Sequence, residues 1–247
     1  MATQEVEFAH VSFDLPGGRR LLDDISLKVA AGSTTALLGR SGSGKTTLLR
    51  TVNALVRPTG GKVLVGGQDV AQADVIALRR GIGYVIQETG LFPHMTVGRN
   101  VGMALELAGK SIDDRRAKSI EMLKMVGLAD DLLERYPWQL SGGQRQRVGL
   151  ARALAAEPAV LLMDEPFGAL DPLTRVEMQT MLKELLRRVG KTTLIVTHDL
   201  EEALYLADRV VLVAEGKIVA DLAAGEVRSS MNEAVQAYVA ATHRGPA

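Results

Sequence analysis

The chain has 247 residues, with 29 basic and 29 acidic side chains, no cysteine and only 4% aromatic residues. Zero net charge gives no global pull toward nucleic acid or an anionic bilayer, and few rings are left for stacking bases. Without cysteine there are no disulfides and no thiolate-bound zinc, and the four histidines (His10, His94, His198, His243) show no metal-ligand spacing.

The first residues lack the basic and apolar regions of a signal peptide, and no apolar run approaches the roughly 18–20 residues that span a bilayer. The expectation is a soluble, cytoplasmic protein that something else must hold at any membrane. Val6 and Phe8, then Ile25, Leu27 and Val29, alternate as half-buried strands, with Pro16-Gly17-Gly18 marking a turn between them. Thr34–Leu38 reads as a short buried strand. Behind it, Gly39-Arg40-Ser41-Gly42-Ser43-Gly44-Lys45-Thr46 completes a G-x-x-x-x-G-K-[ST] loop, which with Thr47 makes the candidate nucleotide-binding set, and Leu48, Leu49, Val52, Leu55 and Val56 follow at helical spacing. The glycines therefore stand at a strand-to-helix turn. There the backbone can aim its N–H groups at phosphate, with the positive end of the helix behind them. Lys45 can reach the β- and γ-phosphates, and the Thr46 hydroxyl can ligate Mg²⁺. A nucleoside triphosphate is the expected ligand.

Lys62–Val65 with Gly66-Gly67 predicts another strand and hairpin, so an antiparallel sheet flanks the phosphate-loop strand. From about Gly98 to Ala156 the pattern turns helical. Ser111 or Asp113 can cap a helix bearing Ala117, Ile120, Leu123 and Val126, and a second helix runs from near Ser141 to before Pro158. We expect a helical subdomain, about residues 98–157, inserted in one α/β domain spanning 1–247. The apolar runs Val160–Met163, Thr193–Val196 and Val210–Val213 predict strands buried on both faces, and Met178 to Val189 a long amphipathic helix closed by Gly190. Alternating strands and helices imply an α/β fold with a mostly parallel sheet. Beyond about Gly225 the tail is polar and weakly patterned, and no function is read from it.

Asp164 and Glu165 come directly after one buried run, at the carboxyl end of a strand, where ligands of such sheets bind. Asp164 suits a direct Mg²⁺ ligand or a partner of its ligands, and Glu165 can orient or deprotonate a water attacking the γ-phosphate. Leu140-Ser141-Gly142-Gly143-Gln144 opens a second helix N-terminus suited to an anion. Ser141 and Gln144 also form a capping box, and the two readings are compatible. Two phosphate cradles with only one lysine-bearing loop are unexpected for a self-sufficient kinase or GTPase.

These residues resemble the ATP-binding subunits of ABC transporters. Gly39–Thr46 is similar to Walker A, Gln87 to the Q-loop glutamine, Leu140–Gln144 to the LSGGQ signature, and Val160–Glu165 to Walker B with its catalytic glutamate. Ala169-Leu170-Asp171 resembles the D-loop and His198 the switch histidine, in the family's order from about residue 5 to 225. The resemblance implies a P-loop core and ATP with Mg²⁺ as cofactors, the metal met by Thr46, Gln87 and Asp164. It also implies a head-to-tail homodimer in which Ser141, Gly142, Gly143 and Gln144 of one chain face ATP on the other, with Asp171 at the contact. Glu165, His198 and Gln87 would be the catalytic set, and no nucleic acid is implied. The family's adenine-stacking aromatic aligns with Leu15, which covers a base by apolar contact alone; Phe13, on the same strand face, is the alternative.

The stretches Leu78–Gln87 and Gly90–Thr96, with Arg135-Tyr136-Pro137, Ala155–Pro158 and Pro166–Arg175, resemble importer ATPases for quaternary amines such as glycine betaine and choline. That resemblance implies transmembrane permease subunits, an extracytoplasmic solute-binding protein and a place on the inner face of the cell membrane. Other readings are an ABC ATPase for amino-acid or lipid transport, a soluble non-transport ABC ATPase, and a plain P-loop kinase. A single cassette with no basic stripe or heptad insertion weighs against the second, and the signature motif against the third.

Overall fold

Residues 2–87 and 89–243 are described by the computed structural model. Strands β1 (Val6–Asp14) and β2 (Arg20–Val29) form an antiparallel pair joined through the predicted turn. Next come β3 (Thr34–Leu38), helix α1 (Lys45–Val52), β4 (Gly60–Val65), β5 (Gln68–Asp69), α2 (Val75–Arg80) and β6 (Ile82–Val85). Three helices come next, α3 (Val97–Leu107), α4 (Ile112–Met125) and α5 (Gly142–Leu154), before the chain re-enters the sheet. It does so at β7 (Val160–Asp164), α6 (Pro172–Val189), β8 (Thr192–Thr197), α7 (Leu200–Leu206), β9 (Arg209–Ala214) and β10 (Lys217–Ala223), and α8 (Glu233–His243) is the last described element.

The strands make two sheets. One is antiparallel, in the order β2-β1-β4-β5; the other runs β10-β9-β3-β8-β7-β6 and is parallel except for the edge pair β10/β9. Every residue of β3, β7 and β8 is buried, so their near-continuous apolar runs are what layers on both faces require. Val29, Leu37, Leu49, Val63, Leu162 and Val196 join the two sheets in one core. On the far side of the parallel sheet, α3, α4 and α5 bury Val101, Leu123 and Val148 against Leu161, Met163 and Leu182.

Caps set the helix starts. Ser111, one of the two candidates, begins α4 by accepting from the Asp114 amide at 3.1 Å, while Asp113 lies in the first turn. Gly190 ends α6 at φ 57°, a left-handed conformation that glycine adopts without penalty. The fold is the expected α/β class with a flanking antiparallel sheet and an inserted helical block. The weakly patterned polar tail contains helix α8.

Candidate nucleotide-binding site

Register decides what meets at the site. In the parallel pairs Leu38 lies opposite Thr197, and Asp164 opposite Val196. The carboxyl ends of β3, β7 and β8 thus lie side by side, and the segments beginning at Gly39, Glu165 and His198 emerge together. Gly39 passes so close to β9 that a Cβ there would sit 2.2 Å from the Val213 carbonyl oxygen. At Gly44, the N-cap of α1, φ is 101° and a Cβ would meet Leu21 O at 2.9 Å.

Lys45 is buried, and its Nζ donates to the carbonyls of Gly39 and Arg40, both at 2.8 Å. Burial lowers its ammonium below lysine's usual range, and the charges of Glu165 and Asp164 oppose that. The Thr46 hydroxyl donates to Asp164 Oδ1 at 2.7 Å. Asp164 Oδ2 faces Tyr84 Oη at 3.4 Å and an Arg50 guanidinium nitrogen at 3.5 Å, and Arg50 Nε donates to the same phenol oxygen at 3.2 Å. Sequence reasoning misses Arg50 and Tyr84. Arg50 lies four residues past Thr46, on one helix face with it, which is the available signal.

Glu165 has φ 44°, held between its amide's bond to Val196 O (2.9 Å) and the Gly168 amide that donates back to it (3.2 Å). Its Oε2 accepts from Gln87 Nε2 at 3.4 Å and stands 3.4 Å from His198 Nδ1. An open cavity of about 680 Å³ is lined by Arg40, Ser41, Gly42, Gly44, Lys45, Thr46, Thr47, Gln87, Glu165 and His198. Gly39 and Ser43 line an adjoining recess of about 540 Å³. Ser43 Oγ is buried with no hydrogen-bond partner among the described residues, so this loop still has donors to satisfy. A hydroxyl and a carboxylate oxygen converge at Thr46 and Asp164, a donor pair suited to Mg²⁺, which takes few protein ligands and keeps phosphate oxygens and waters.

Leu15 and Phe13 line neither recess. Leu15 is half-buried in its turn, bonded through its amide to Arg19 O at 2.9 Å. Phe13 pairs with Leu22 and packs on the inter-sheet core. Leu21 lines both recesses instead, a placement that alternation in β2 alone does not reveal.

Ser141, Gly142, Gly143 and Gln144 also lie outside this cavity. Ser141 Oγ accepts from the Gln144 amide (3.2 Å) and Gln144 Oε1 from the Ser141 amide (2.9 Å), completing the capping box. The glycines face the start of α6, where Leu170 and Thr174 are the nearest side chains to a Cβ placed on them. Asp171 is exposed there and caps α6 through the Thr174 amide at 3.1 Å.

Glu202 on α7, just beyond His198, is buried, and its Oε1 has no hydrogen-bond partner among the described residues. Burial, then the nearby Asp199 charge, raises its carboxyl from 4.5 to about 8, with Thr197 and Arg175 opposing. The folded protein therefore holds a proton there that the unfolded chain releases above its ordinary value. Stability from this group is complete below pH 4.5 and lost as pH rises toward 8. The span is on the order of 5 kcal/mol. Glu202→Gln is expected to flatten that part of the profile in thermal unfolding between pH 5 and 9, and an unchanged slope would exclude Glu202 as its source.

Side chains delivered in this way, from the ends of adjacent parallel strands onto a lysine-bearing glycine loop, define the P-loop class of nucleotide-binding domains. Residues 22–168 match the model of the ABC transporter family, and the chain belongs to that family. It is 45% identical over 214 residues to the carnitine transport ATP-binding protein OpuCA of Listeria monocytogenes, covering 87% of this chain and 54% of that one. It is 48% identical over 217 residues to the glycine betaine uptake system ATP-binding protein YehX of Escherichia coli, covering 87% and 69%. The sulfate/thiosulfate import ATP-binding protein CysA of Mesorhizobium japonicum is 51% identical over 201 residues, covering 80% and 57%. The chain thus spans little more than half the length of several curated relatives. Among solved structures, the ATP-binding cassette MJ0796, a dimer in a post-hydrolysis state with ADP and Pi, superposes with a TM-score of 0.79. It is 33% identical, and the match covers 89% of this chain and 98% of that one.

Proposed function

We propose that this chain is the ATP-hydrolysing subunit of an importer, working as a head-to-tail homodimer on separate permease subunits at the inner face of the cell membrane. One observation carries the proposal: the Lys45 loop, Gln87, Glu165 and His198 line one cavity, while the Ser141–Gln144 helix start faces elsewhere. A second copy supplies what one chain leaves open. In this reading residues 1–247 form a single cassette, with residues 98–157 as a helical unit beside the α/β core.

The loop amides and Lys45 hold the triphosphate, and the partner's Ser141, Gly142 and Gly143 close over its γ-phosphate, with Gln144 completing the cap that orders them. Thr46 and Asp164, with Gln87 beside them, would hold Mg²⁺, which when bound would supply neutralisation of charge on the phosphates. Glu165 takes the proton of the attacking water, Gln87 orients that water, and His198 contacts the γ-phosphate. Asp171, exposed at the start of α6, meets the partner. ATP binding draws the two chains together and hydrolysis frees them, a cycle the membrane subunits convert into transport.

Among the described residues no helix is long and apolar enough to cross a membrane; in this reading the solute path lies in the permease subunits. An apolar groove of about 510 Å³, lined by Ile76, Tyr84, Ala104, Leu107 and Ala156, offers them a docking surface, with Ile76 and Leu107 well exposed. The solute we favour is a quaternary-amine osmoprotectant, delivered by an extracytoplasmic binding protein. Support comes from the Leu78–Thr96 stretch and from the carnitine and glycine betaine relatives, which align over more of the chain than the sulfate one. The sulfate relative's higher identity sustains import of an oxyanion as the second reading.

The test is co-purification of tagged Glu165→Gln protein from native membranes with ATP and Mg²⁺. A multi-span permease is expected, and its binding protein identifies the solute class. Recovery of ribosomal or scaffold proteins with no membrane partner would overturn the importer assignment.

A further inference from the structure

Helix α8 carries none of the sequence motifs, yet it reaches the candidate site. Asn232 anchors its start: Oδ1 accepts from the amides of Ala234 (2.9 Å) and Val235 (3.3 Å), and Nδ2 donates to Val219 O at 3.1 Å. Val235 is buried among Leu38, Leu200, Leu212 and Val227. One turn on, the Tyr238 hydroxyl donates to the backbone carbonyl of His198 at 2.7 Å. A further turn brings Ala241 and Thr242 into the wall of the cavity that Lys45, Glu165 and His198 line.

The His198 side chain is 62% exposed, so packing does little to fix its turn. Local bonds hold the residues just after it: the Asp199 amide donates to Thr197 Oγ1 at 3.0 Å, and Asp199 caps α7 through the Glu202 amide at 3.1 Å. The phenol reaches the residue between β8 and α7 from a distant part of the chain. Burial, with the Asp199 charge, pushes Tyr238 up to about 12, so it remains a donor at any working pH.

We infer that Tyr238 is a positioning residue, whose hydroxyl holds the His198 turn and so sets His198 against Glu165 for ATP hydrolysis. The catalytic half of this rests on the function proposed above; the positional half does not. A plain packing role for Tyr238 differs from it, because Asn232 and Val235 dock α8 without the hydroxyl.

The test is Tyr238→Phe in the full chain, which keeps the ring and removes one donor. Without nucleotide, amides of residues 197–200 are expected to exchange several-fold faster, while those of α8 keep the parental rate. In ATP turnover kcat should fall about three- to tenfold, the effect of one hydrogen bond, with KM unchanged. Parental exchange at 197–200 would overturn the inference whatever the turnover. Faster exchange with parental kcat, or a rise confined to KM, would overturn its catalytic half. Faster exchange in a protein whose parent hydrolyses no ATP would instead reject the proposed function and leave the positional contact standing.

Discussion

Glu165→Gln protein is expected to bind ATP as the parent does, to turn over about 10²–10⁴-fold more slowly, and to persist as an ATP-bound dimer. The amide has the size of the carboxylate and can keep the 3.4 Å contacts to Gln87 and His198. It cannot accept a proton from water, so binding and chemistry are separated in one substitution. The backbone points the same way. A non-glycine residue at φ 44° costs on the order of 1 kcal/mol and is kept here by Val196 O on one side and the Gly168 amide on the other. Strain of this kind aims the side chain off the strand end into the cavity, where a carboxylate buried merely for packing would gain nothing. Light scattering with ATP and Mg²⁺ reads the dimer, and phosphate release reads turnover. Parental turnover would remove Glu165 from the role of base. Slow turnover without a dimer would separate the base from the two-chain site.

How much of the molecule is legible in its sequence depends on how local each signal is. Strands β3, β7 and β8 are buried throughout and carry near-continuous apolar runs because both faces are covered, and the phosphate loop is contiguous, so both can be read along the chain. The partners of Asp164 cannot. Tyr84 reaches it only because β6 lies next to β7, a strand order that no local pattern encodes. Likewise Gln87 and Glu165 are 78 residues apart and meet through parallel register. Leu15 and Phe13 show the opposite difficulty: a motif aligned along the chain does not say which side chains line the recesses, where Leu21 does so while Leu15 is held in its turn and Phe13 packs partly buried on the core. Helix α8 escapes sequence reasoning although Val235, Tyr238 and Val239 recur at helical spacing behind Asn232. Three apolar positions in a polar tail are a weak signal until a tertiary contact, here Tyr238 on His198, gives them a surface to cover.

Lys45→Ala is expected to weaken ATP binding about 10²–10⁴-fold, since each hydrogen bond from a charged donor contributes roughly 1.5–3 kcal/mol and the ammonium would reach two phosphates. Among the described residues that ammonium is buried and donates to carbonyls of its own loop, Gly39 and Arg40, at 2.8 Å each. Its burial works against the charge, and Asp164 and Glu165 only partly offset this. A triphosphate would supply the missing negative partner, so the lysine is held at a cost that the ligand relieves. Two effects of the substitution must therefore be separated. Loss of the two loop bonds alters the nucleotide-free Tm, whereas loss of the phosphate contact alters how much ATP raises it. That second quantity follows RT ln(1 + [L]/Kd) and cancels any change in the starting stability. Thermal unfolding with increasing ATP should show a large rise for the parent and almost none for Lys45→Ala at the same concentrations. An equal rise in both would mean that the loop amides alone hold the phosphates, and the assignment of Lys45 to the nucleotide would fail even if its removal destabilised the fold.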